Sequence, residues 1–150
     1  MTTPIASLLP HAPPMLLLDE LVECGIDSVT ATATIRPDHP FFDHEAGGVP
    51  CHVGIELMAQ TCGAFAGLRS LAEGKQPVLG FLLGTRNYRC SIRWFREGDQ
   101  LKVLSTAVYI DGGTGVFDCQ ILMGSSSVSS ARLTVHQPDD SMAVIAPPGQ

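Results

Sequence analysis

Residues 50–68 run apolar for the length of a helix, and between 53 and 68 only Glu56 and Gln60 are strongly polar. Spaced i,i+4, the two share one helix face. The pattern predicts a helix from about 50 to 72, apolar nearly all round until Arg69 and Glu73, and such a helix sits enclosed on most sides rather than on a surface. Pro50 suits the first helical position, and Gly74 ends the run. A carboxylate set into so apolar a helix is rarely buried without a partner or a purpose, which makes Glu56 the first candidate for chemistry.

On either side of the helix the pattern is β. Residues 15–21 and 28–36 alternate or run apolar with β-branched side chains, separated by the turn formers Gly25, Ile26 and Asp27. Pro37 and Pro40 then break regular structure, and a glycine-containing loop over 43–49 delivers the chain to the helix. Beyond it, strands are predicted over 78–83, 86–95, 101–110, 115–123 and 126–135, punctuated by Gly98-Asp99 and Asp111-Gly112-Gly113. One long helix amid many antiparallel strands predicts an α+β fold with the sheet wrapped around the helix. Residues 1–136 are expected to form a single domain, and 137–150, with Pro138, Pro147 and Pro148, a loose tail.

Composition narrows the function classes. A chain of 150 residues buries roughly 70% of its unfolded surface around one core. With 45% hydrophobic and only 16% charged residues, it has apolar surface left over for a partner subunit or a lipid-like ligand. A net charge of -6 with nine Lys and Arg offers no basic stripe for nucleic acid. A local patch of Arg86, Arg89, Arg93 and Arg96 still suits an anionic carrier protein. The five cysteines, Cys24, Cys51, Cys62, Cys90 and Cys119, are odd in number and lack a C-x-x-C pair, so they read as buried small hydrophobes rather than a disulfide framework or zinc site. No basic and apolar leader opens the chain and no apolar run reaches spanning length, which gives the expectation of a cytoplasmic protein with no membrane contact.

Four segments, in order, carry a family resemblance. Leu9-Pro10-His11 followed by Met15-Leu16-Leu17-Leu18-Asp19, then Pro40-Phe41-Phe42, Glu56-Leu57-Met58-Ala59-Gln60, and Arg96-Glu97-Gly98-Asp99-Gln100-Leu101 resemble the motifs of the 3-hydroxyacyl-carrier-protein dehydratases of fatty acid synthesis. The resemblance implies the hotdog fold, in which a curved antiparallel sheet wraps a long central helix. It also implies dimers in which sheets join edge to edge and acyl sites lie between subunits. The family's G-H-F-P-G loop is altered here to Asp43-His44-Glu45-Ala46-Gly47-Gly48-Val49-Pro50, shorter than usual, with Cys51 in place of the glycine after the proline. In this the chain is similar to the divergent hotdog proteins of aryl-polyene biosynthesis, which accompany a second dehydratase-like subunit.

Eliminating water from a 3-hydroxyacyl thioester requires a base at the carbon next to the carbonyl, an acid at the departing hydroxyl, and donors for the enolate-like oxygen. Histidine, with an ordinary pKa of about 6.5, suits the base, and a carboxyl among apolar groups suits the acid because desolvation favours its protonated form. His44, aligned with the family's histidine, is the expected base and Glu56 the expected acid. Backbone N–H groups near Cys51 and His52, at the helix amino terminus, are expected to face the thioester carbonyl, with Gln60 supporting the loop or Glu56. The reaction needs neither a metal nor an organic cofactor.

Each residue also has a plainer role open to it. Glu56 can pair with His52 one turn earlier, and His44 can be an ordinary solvated loop residue. His52 as base would require a different geometry, since it lies on the helix. Gln60 can be a satisfied core amide. His39, His44, His52 and Glu56 lack the H-E-x-x-H spacing of a metal site, and the serines at 125–127 lack G-x-S-x-G. The Gly80 to Gly84 segment can line an acyl tunnel or simply be core. Three functions therefore stand: a dehydratase acting on an acyl thioester of a carrier protein or coenzyme A, a structural partner of another hotdog subunit, and an acyl thioesterase. The first is the leading expectation, as a homodimer or heterodimer.

Overall fold

The structure, a computed structural model, describes residues 3–4, 15–75 and 81–137. The Leu9-Pro10-His11 motif and the tail from residue 138 onward lie outside the described residues. In chain order the elements are β1 (Thr3–Pro4), β2 (Glu20–Cys24), β3 (Ser28–Thr34), β4 (Gly48–Pro50), a 3-10 turn (Cys51–Val53), α1 (Gly54–Ala72), β5 (Phe81–Cys90), β6 (Trp94–Arg96), β7 (Gln100–Asp111), β8 (Thr114–Met123) and β9 (Ser126–His136). A 7-stranded antiparallel sheet runs in the order β1-β2-β3-β7-β8-β9-β5, and β4 pairs with β6 in a separate ribbon. The helix packs against β3, β5, β7, β8 and β9, which is the hotdog architecture.

Strand alternation explains the layering. Val29, Ala31 and Ala33 of β3, Leu101, Val103 and Ser105 of β7, Phe117, Cys119 and Ile121 of β8, and Ser129, Ala131 and Leu133 of β9 all turn inward and are buried. Many of these are small. They give the sheet's concave face the depth to receive Leu57, Met58, Cys62, Ala64 and Phe65 of α1, where Phe65 meets Phe117 edge-on at 5.6 Å and 77°. Burying each large aliphatic side chain here stabilises the fold by about 1.5–3 kcal/mol.

Several elements differ from expectation. Residues 15–21 divide, with β2 beginning only at Glu20. Leu17 and Leu18 are buried ahead of it, but the Leu17 N–H donates to the Gln60 side chain at 2.9 Å, so a side chain stands where a ladder partner would. The segments expected at 78–83 and 86–95 are regrouped, residues 78–80 lying outside the described residues. β5 continues through Gly84, whose missing Cβ faces open space and beside which the register against β9 shifts, and β6 then leaves to join β4. The strand β4 falls within the predicted loop and at the predicted helix start. Of the cysteines, Cys62 and Cys119 are buried, Cys51 and Cys90 half-buried, and Cys24 exposed; all five are free thiols.

Candidate functional site

The loop carrying His44 is a closed turn built by Asp43. The Asp43 carboxylate accepts the N–H groups of Glu45 at 2.9 Å and Ala46 at 3.0 Å, while its backbone N–H donates to the Gly48 carbonyl at 2.8 Å. Arg96 fastens the turn from β6, donating to the Ala46 carbonyl at 2.6 Å. Gly48 pairs with Arg96 so closely that a Cβ there would collide with the Phe95 carbonyl, which explains the glycine. His44 stands exposed on this frame, its ring 5.0 Å from that of Phe42. His39, just upstream, accepts the Phe41 N–H at 3.0 Å, and burial lowers its pKa, so it serves the turn as a neutral imidazole.

From the loop, β4 leads into the turn Cys51–Val53 and then α1, and no side chain caps either amino terminus. The Cys51 N–H is already used, donating to the Arg93 carbonyl at 3.0 Å. That N–H is therefore not free for the role of donor to substrate expected of it. His52 is exposed. Burial and the neighbouring Cys90 thiol raise the Cys51 pKa, which keeps it a thiol rather than a nucleophilic thiolate.

Tyr88 ties this turn to the sheet. Asn87 takes a left-handed φ of 56°, and between Arg86 and Arg89 the register of β5 against β9 slips by one residue. The bulge shifts the alternation so that Tyr88 and Cys90 pack inward while Arg86 and Arg89 stay exposed. The Tyr88 hydroxyl donates to the Cys51 carbonyl and lies so close to Gly54 that no Cβ fits there. Burial raises the Tyr88 pKa well above the ordinary phenol range, so the hydroxyl remains a donor.

Glu56 is the third residue of α1 and half-buried. Its carboxylate accepts an N–H of Gln60 at 2.9 Å. The same Gln60 amide nitrogen donates to the Met15 carbonyl at 2.8 Å, and its oxygen accepts the Leu17 N–H at 2.9 Å. Gln60 is 1% exposed, and these contacts use both N–H groups of its amide as well as its oxygen, so it orients Glu56 rather than meeting a ligand. Replacing Gln60 by Leu leaves the Leu17 N–H buried and unpaired and should cost about 2 kcal/mol or more, read as a lowered midpoint in urea unfolding.

Glu56 and Gln60 are thus brought together as their spacing predicts, and His44 and His52 sit on the loop and turn beside the helix entry. Sequence reasoning gave Asp43 and Arg96 no part in holding the loop and passed over Tyr88. Asp43 carries a readable signal, an aspartate followed by the turn formers Gly47 and Gly48; Tyr88 and Arg96 act through a bulge and a strand crossing that no periodicity records. Among the described residues no three His, Cys, Asp or Glu side chains converge as a metal site would, and no helix is long and apolar enough to cross a membrane.

Comparison with known proteins bears on the fold and the family. The ApeP-like family, described as ApeP dehydratase, matches residues 3–146. A FabZ 3-hydroxyacyl-[acyl-carrier-protein] dehydratase of Streptococcus pyogenes serotype M3 is 28% identical over 133 residues, covering 87% of this chain and 93% of its own length. The dehydratase heterocomplex ApeI:P from Xenorhabdus doucetiae contains a chain 29% identical, superposing with a TM-score of 0.87 over 93% of both chains. A Streptococcus mutans UA159 protein bound to acetyl CoA, 17% identical, shares the fold alone, with a TM-score of 0.63 over 86% of this chain and 94% of that one. The chain belongs to the ApeP-like dehydratase family of hotdog proteins.

Proposed function

We propose that this chain eliminates water from a 3-hydroxyacyl thioester, working within a pair of hotdog subunits. The observation that carries the reading is the fixed carboxylate of Glu56, held by the Gln60 amide at the uncapped end of the central helix. His44 removes a proton from the carbon next to the thioester carbonyl, and that electron pair forms the new carbon–carbon double bond. As it forms, the bond to the 3-hydroxyl breaks and the Glu56 carboxylic acid gives its proton to the leaving oxygen, releasing water. Backbone N–H groups of the turn Cys51–Val53, other than that of Cys51, stabilise the enolate-like oxygen, favoured by the positive end of the helix dipole. His52 flanks that position. Proton return from His44 to Glu56 resets the site.

The relatives' names supply the substrate class and the pairing: an acyl group on a carrier protein, and a second hotdog dehydratase subunit. The exposure of His44 on its shortened loop supports a second reading, in which this chain is chiefly the structural half of such a pair. One assay separates them. The purified chain, alone and then mixed with a hotdog dehydratase that carries an intact G-H-F-P-G loop, is given a 3-hydroxyacyl carrier-protein substrate, and enoyl thioester is followed by ultraviolet absorbance. Turnover that is lost with Glu56→Gln in this chain, alone or in the mixture, supports catalysis; turnover of the mixture that is indifferent to Glu56→Gln here supports the structural reading.

A further inference from the structure

The large sheet ends at β5. β5 pairs with β9 on one side, and among the described residues no strand pairs with its other side. A strand of 10 residues with open N–H and C=O groups is a template for another strand. Leu82 and Leu83, 43% and 61% exposed, add apolar surface at one end of that strand. Nothing in those groups discriminates one strand from another.

The charges do. The chain from 74 to 96 contains no Asp or Glu, yet holds Arg86, Arg89, Arg93 and Arg96, four of the nine Lys and Arg in a protein of net charge -6. Arg86 and Arg89 share the sheet's outer face with Asp118 and Arg132. Arg132 is matched by Asp118 at 2.8 Å, while among the described residues Arg86 and Arg89 meet no carboxylate. Antiparallel pairing of two identical β5 strands about a twofold axis through the bulge sets Arg86 against Arg89 of the second copy, twice over. An axis level with either arginine sets it against itself. Of these, the axis level with Arg86 pairs residues 82–90 of both copies, so a near-complete register of the strand confronts like charges across the seam, where such pairs destabilise.

We infer that Arg86 and Arg89 disfavour self-pairing along β5 and select a different hotdog subunit, one whose edge strand carries Asp or Glu on its outer face opposite them. The inference rests on the reading that the chain works as half of a hotdog pair. The arginines act as the repulsive element that specificity requires in addition to attraction.

A charge-inverted copy of the chain serves as the acidic partner. Wild-type protein and the double variant Arg86→Glu, Arg89→Glu are measured separately and mixed, by sedimentation with one component labelled, at low and at high salt. The mixture should associate at least about tenfold more tightly than wild type alone at low salt, and the gap should shrink as salt screens it. The neutral variant Arg86→Gln, Arg89→Gln should self-associate about tenfold more tightly than wild type. Circular dichroism confirms that each variant folds. Wild type that self-associates as tightly as the mixture overturns the charge rule alone; absence of any association in every sample and salt overturns pairing along β5 itself. If the neutral variant associates as wild type does but turns over carrier-bound substrate more slowly than a coenzyme A thioester, the arginines read a carrier protein and the inference falls.

Discussion

Replacing Glu56 by Gln should slow dehydration of a 3-hydroxyacyl carrier-protein substrate by about 100-fold or more while leaving the thermal midpoint nearly unchanged. The two halves of this expectation have separate causes. Glutamine fills the same volume and keeps a carbonyl oxygen that can accept the Gln60 N–H now donated to the carboxylate at 2.9 Å, so the buried network through Met15 and Leu17 survives. An amide, however, has no acidic proton to give to a departing hydroxyl. Stability without turnover is the signature of an acid. Full turnover by the Glu56→Gln variant, measured in whichever assembly is active, would remove Glu56 from the reaction and leave the structural-partner reading standing.

The Glu56 and Gln60 pair was legible because helical spacing is local: two polar residues four apart in an apolar run must share a face whatever surrounds the helix. What Gln60 does for the fold was not. Its amide takes the place of a strand ladder for residues 15–17, a contact across more than forty positions of sequence, and the apolar run there reads as a strand because its pattern is the same either way. The helix itself stood out for a similar reason, since no surface helix is apolar on nearly every side. Its first turn tightens into the 3-10 form at Cys51–Val53, where the Tyr88 hydroxyl and the Arg93 carbonyl take up the carbonyl and N–H of Cys51.

The sheet's interior was easier to read than its edge. β7, β8 and β9 alternate cleanly because one face is buried under the helix, and their predicted bounds lie within a residue of those observed. Among the described residues β5 has one strand neighbour, and it absorbs two register shifts, so its inward residues do not keep a single period. The charge on that strand could be counted in the sequence but not placed. Arg86, Arg89, Arg93 and Arg96 read together as one patch, yet Arg96 is spent on the Ala46 carbonyl of the His44 loop and Arg93 lends its carbonyl to Cys51. Only Arg86 and Arg89 remain on the outer face by the bulge.

Replacing His44 by Ala should lower turnover at this chain's own site by about 100- to 10,000-fold, the range for loss of a general base, with little change in stability. His44 is exposed, and the loop that presents it is held by Asp43 and Arg96, whose hydrogen bonds do not involve the imidazole. The variant therefore tests chemistry rather than folding. The base must also reach the carbon beside the thioester carbonyl while Glu56 reaches the hydroxyl, so the loss should appear in kcat more than in KM. If turnover instead requires a second subunit with an intact G-H-F-P-G loop and is indifferent to His44→Ala here, the shortened loop has given up the base and the chain supports a site belonging to its partner. Activity that survives His44→Ala but vanishes with His52→Ala would contradict both accounts. It would mean that the exposed histidine on the turn Cys51–Val53, beside the uncapped helix end, has taken the base position.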